Sequence, residues 1–115
     1  MRKFDLGEVI ASRKLQFKHH DGSVCDVVVN LGRPVPDPQD PGRTSICPFQ
    51  IVGVGSGKTK AIFGVDTIQA LTLALHVLPS ELSALARQEN GNFVPPGDED
   101  LGLSSACKVH LDPTA

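Results

Sequence analysis

The chain has 115 residues, room for one hydrophobic core and not for two. Its 40% apolar and 21% charged content is unlike that of a disordered chain. Eleven basic against 13 acidic residues leave a net charge of −2, without the positive field that gathers nucleic acid.

Five Phe and no Tyr or Trp make the expected core aliphatic. Val9 to Lys18 alternates, with Val9, Ala11, Leu15 and Phe17 on one face and Arg13 the exception. Ser12, Lys14, Gln16 and Lys18 fall on the other, the mark of a half-buried antiparallel strand. Asp21-Gly22 supplies a tight turn, and Val24 to Leu31 returns as the second strand of a hairpin. Pro34, Pro36, Pro38 and Pro41 then forbid a strand interior or a helix, so 32–43 reads as an extended connector. Ile46 to Val54 and Lys58 to Phe63 read as two more strands around Gly55-Ser56-Gly57.

Asp66 opens the one strong helix, with Gln69 placed to complete a capping box. Ile68, Leu71, Leu75 and Leu78 share a face, continued by Leu82 and Leu85. Pro79 predicts a break near Leu78, leaving a main helix at 66–78 and a short extra piece at 80–88 that ends at Asn90-Gly91. Phe93-Val94 reads as a short strand. The expected fold class is α+β: a four-stranded antiparallel meander with one main helix on one face and an irregular C-terminal segment. The domain is drawn over 1–103, with 104–115 a tail.

Gly53-Val54-Gly55-Ser56-Gly57-Lys58-Thr59 imitates a phosphate-binding loop. The position where that motif needs its first Gly holds Val52, and a strand pattern follows instead of a helix. A hairpin turn is the expectation. Pro38 and Pro41 form a P-x-x-P, but Arg33 is out of register with it, so a stiff connector is preferred. Cys25, Cys47 and Cys107 show no C-x-x-C spacing and read as free thiols in a reducing compartment. His19 and His20, adjacent in a strand, point to opposite faces. Asp98-Glu99-Asp100 is an acidic run of the kind found in solvated loops. No catalytic set, metal set or cofactor motif emerges by spacing. No membrane span or signal core is read, and the cytoplasm is the expected location.

The helix is the anomaly. From Thr67 to Pro79 it carries no charge, and Ala70, Leu73 and Val77 form a second apolar line opposite the inward face. Such a line needs cover. Leu101, Leu103, Val109 and Leu111 of the tail are the cover expected first, since they require no other molecule; otherwise the line is an interaction surface for a second copy of the chain or another protein. Gln69, Thr72 and His76, beside Thr67, are the polar residues that would line a pocket between sheet and helix.

Cys47-Pro48-Phe49-Gln50-Ile51, then Ala61-Ile62-Phe63-Gly64-Val65-Asp66, then Gln69-Ala70-Leu71 with Leu73-Ala74-Leu75, resemble a family of small bacterial proteins grouped as a domain of unknown function. The Gly32-Arg33-Pro34 to Asp37-Pro38 stretch is similar as well, and the resemblance spans roughly residues 8–103. Pro79 departs from it, standing where a small residue is expected. The resemblance implies a compact bacterial α+β domain and transfers no catalytic or binding residue. The function expected is a non-catalytic protein-interaction domain; the alternative is a small-ligand binder or enzyme using that pocket.

Overall fold

A computed structural model describes residues 2–94. Six strands and one helix run in the order β1 (Val9–His19), β2 (Val24–Gly32), β3 (Val35–Pro36), β4 (Ser45–Val52), β5 (Lys60–Gly64), α1 (Thr67–Gln88) and β6 (Gly91–Val94). The fold is α+β. β1, β2, β4 and β5 pair successively and antiparallel, as the meander requires. Two short strands enlarge the expected four. β3 extends the line of β2 along β4, pairing Val35 with Ile46, and β6 adds to the far edge of β1, pairing Phe93 with Phe17. Across the sheet the order is therefore β5-β4-β2-β1-β6, with β3 beside β4.

Local chemistry sets the turns. Gly22 adopts φ +92° between β1 and β2, and the Asp21 carboxylate accepts from the Ser23 amide at 2.9 Å and its hydroxyl at 2.6 Å. In the proline connector, buried Asp37 accepts from the Gln39 amide at 3.0 Å, and the Asp37 amide donates to the Thr44 carbonyl. A stretch rich in proline, with few backbone donors to place, can turn on side-chain acceptors in this way.

Alternation puts Leu15 and Phe17 of β1, Val27, Val29 and Leu31 of β2, and Cys47, Phe49 and Ile51 of β4 on the face beneath α1, all buried. The helix contributes Ala70, Ala74, Leu78 and Leu82. On the other face, residues 2–8 cross β4. The Leu6 carbonyl and the Pro48 ring lie where a side chain at Gly32 would project. Arg2 pairs with Asp37 and stacks 4.9 Å from the Phe4 ring, which meets Phe63 edge-on at 5.9 Å. This strap covers Ile46 and Pro48, which point away from α1 and are buried nonetheless.

The helix departs from expectation in two ways. It does not break at Leu78 but continues through Pro79 to Gln88, so the main helix and the extra piece are one element. Proline removes one donor, and the bond lost is the one to the Leu75 carbonyl four residues back. Leu75 and Ser80 are exposed, so water can reach that carbonyl. The helix is also rotated from the expected phase. Ile68 is 77% exposed and Leu75 exposed, whereas Ala70, assigned to the outer line, is fully buried. By length and composition α1 could cross a membrane; in this fold it lies on the sheet.

Candidate interaction surface

The N-terminus of α1 is fixed by side chains. Asp66 accepts from the Gln69 amide at 2.7 Å, and the Gln69 side-chain carbonyl accepts from the Val65 amide at 2.8 Å. The reciprocal cap forms as expected, reaching one residue further back than a standard capping box. Thr72 donates to the Ile68 carbonyl at 2.8 Å. Gln69, Thr72 and His76 are all exposed and, with Ser80, Ser83 and Arg87, make the solvent face. None of the cavities found among the described residues is lined by them, and with their neighbours they give the helix a polar outer face, made without charge until Arg87.

The expected docking line divides. Ala70 is core, Val77 is half-buried and Leu73 is 39% exposed. Ala70 rests on Gly64, and Glu81 pairs with Lys60 at 2.9 Å, so these residues mark the side of α1 that faces β5. At 100° per residue Leu73 lies one step further round, beyond β5. Among the described residues β5 pairs with β4 alone, which leaves its other edge open. Phe63, 45% exposed, projects from that strand on the face away from the helix. The surface is thus an unpaired edge strand flanked by Leu73 on one face and Phe63 on the other. Periodicity within the helix missed this arrangement, because what makes Leu73 notable is its position beside β5.

A cavity of about 100 Å³ lies between α1 and the β4–β5 loop, bordered by Phe49, Val54, Lys58, Lys60, Glu81 and Gln88. Ligand pockets for small organic molecules run to about 300–1,000 Å³. Gly53, Gly55 and Gly57 take positive φ in the loop, and the Gln50 side chain holds the Gly57 carbonyl at 2.9 Å. The loop leads into β5, as a hairpin must and a phosphate loop does not.

Cys47 is buried, which pushes its thiol pKa up and keeps it protonated. Cys25 is half-buried, with its Sγ 3.6 Å from His19 Nε2 and 3.6 Å from the Gly53 carbonyl. The hairpin brings the two together: Phe17 faces Cys25 across the ladder, and His19 follows Phe17 by one pleat on the same side. His20 is exposed on the turn. Among the described residues no three His, Cys, Asp or Glu side chains cluster as a metal set. Cys107, His110, the acidic run and the tail leucines lie outside the described residues.

No curated protein and no solved structure matches the chain. Residues 11–105 match the family described as Domain of unknown function (DUF6968), and by that coverage the chain belongs to it.

Proposed function

We propose that this domain is a protein-interaction module that docks through the free edge of β5, and that a second copy of the chain is its partner. The observation that carries this reading is the open β5 edge with Leu73 and Phe63 beside it. An exposed edge offers a row of backbone donors and acceptors to an incoming strand, and flanking apolar side chains give the added strand area to bury.

The strand is self-compatible. A two-fold axis at Ile62 sets Lys60 opposite Gly64 of the partner strand, Ala61 opposite Phe63, and Ile62 opposite itself. No charge faces a like charge, the arrangement that penalises antiparallel pairing. The joined sheet then runs continuously through both copies, with α1 of each on the same side and the two Leu73 side chains approaching across the seam.

The test is solution mass by light scattering over a wide concentration range. Twice the chain mass of 12.2 kDa is expected for the native protein. Leu73→Glu, which places a charge against its symmetry mate, is expected to give the single-chain mass with unchanged circular dichroism and melting temperature. A native protein that stays at 12.2 kDa throughout, or a Leu73→Glu variant that dimerises as tightly, overturns the proposal.

A further inference from the structure

We infer, on the β5-edge pairing proposed above, that the strap of residues 2–8 belongs to the dimer seam, where Phe4 and Phe63 of the two copies meet in one aromatic cluster. β5 is five residues long, which gives about 17 Å of edge. Backbone pairing over that length falls well short of the roughly 800 Å² that each partner buries in a standard interface. Side chains on both faces of the joined sheet have to supply the rest. Leu73 does so on the helix side, and the far side is more apolar. Ala61, Phe63 and Val65 alternate onto it, and Phe63 is 45% and Val65 69% exposed in the single copy.

Pairing about Ile62 sets Phe63 opposite the partner's Ala61, a large side chain over a small one. The two Phe63 residues are then diagonal neighbours, about 7–8 Å apart across the seam and within reach of aromatic side chains. One residue beyond the strand, Val65 comes opposite the partner's Thr59. The strap adds to this strip. Phe4, half-buried in the single copy, meets Phe63 edge-on at 5.9 Å, and the Arg2 guanidinium lies 4.9 Å from the Phe4 ring and 5.7 Å from the Phe63 ring. The Phe4 and Phe63 rings of both copies therefore gather around the two-fold axis, in a cluster whose edge-on contacts already exist within each chain. Asp37 offsets the charge of Arg2, so the axis brings no uncompensated cations together. Arg2 is thus a positioning residue that holds Phe4 at the seam.

Sedimentation equilibrium over a dilution series gives the dimer dissociation constant. Phe4→Ala is expected to raise it by about tenfold or more, as loss of an aromatic anchor does, with unchanged circular dichroism. The chain has no Trp or Tyr, so Phe4→Trp adds a single fluorescent reporter without truncating the strap. Its emission should move to the blue as concentration rises through the range in which the mass doubles. A native protein that keeps the single-chain mass throughout overturns the β5-edge pairing and this inference with it. A native dimer that Phe4→Ala matches in affinity, or Phe4→Trp emission that stays constant while the mass doubles, overturns the role of the strap alone and leaves the edge pairing standing.

Discussion

Gly64, the last residue of β5, lies directly against the backbone of Ala70 in the first turns of α1. A Cβ built at 64 would overlap the Ala70 nitrogen and come within 2.9 Å of its Cα. The helix can sit this close only because neither residue brings bulk to the contact. That proximity sets the phase of α1, turning Ala70 and Ala74 inward and pushing Ile68 out.

Gly64→Ala is therefore expected to destabilise the fold, although alanine is ordinarily tolerated in a strand. The obstacle is main chain, which cannot rotate away, and overpacking of this kind costs about 1–3 kcal/mol. For a domain near this size each kcal/mol lowers the melting temperature by about 4–8 °C. Thermal unfolding followed by circular dichroism measures it. A shift of less than about 2 °C would mean that α1 can lift from β5 at little cost.

The phase of the helix is tested by a pair of truncations. Leu82 is 1% exposed in the core, so Leu82→Ala should cost about 2–5 kcal/mol. Ile68 is 77% exposed, so Ile68→Ala should stay within about 0.5 kcal/mol of the native protein. Urea unfolding separates the two. Had α1 buried the leucine and isoleucine stripe that periodicity suggested, Ile68→Ala would also be costly.

The strands were legible because their signals are local. The Val9–Lys18 alternation, Asp21-Gly22 and the glycines at 53–57 each act over a few residues, and the hairpins follow from them. The helix phase was not legible. Ile68, Leu71 and Leu75 outweigh Ala70 and Ala74 in hydrophobicity, but the close approach at Gly64 rewards small side chains over large ones. Pro79 signals a break because its cost is local, whereas the packing of Leu78 and Leu82 on either side is tertiary. The candidate surface was half visible. Leu73 and Val77 stood out as apolar, yet only the strand order reveals β5 as the edge beside them. The His19–Cys25 contact joins two strands, and six residues of separation give no sign of it in the sequence.

The strap across the far face makes stability depend on pH through Asp37. Its carboxylate accepts from the Arg2 guanidinium, at 3.1 Å for one of the two contacts, and from the Gln39 amide at 3.0 Å. The hydrogen bond from Arg2 is the larger influence and the Gln39 amide the next. Together they hold the Asp37 pKa below the ordinary carboxylate value, against the opposing effect of burial. A folded-state pKa below the unfolded value of about 3.9 means that the charged form is favoured by folding. The contribution is therefore complete well above pH 3.9 and is lost as pH falls through the folded value. Asp37→Asn should lower the melting temperature at pH 7 and flatten its fall between about pH 5 and pH 2. Arg2→Ala should reproduce most of the flattening, because it removes the larger influence and leaves the Gln39 amide in place. If neither variant alters the slope of melting temperature against pH in that window, the strap is held by Phe4 on Phe63 and the ion pair adds nothing to the fold.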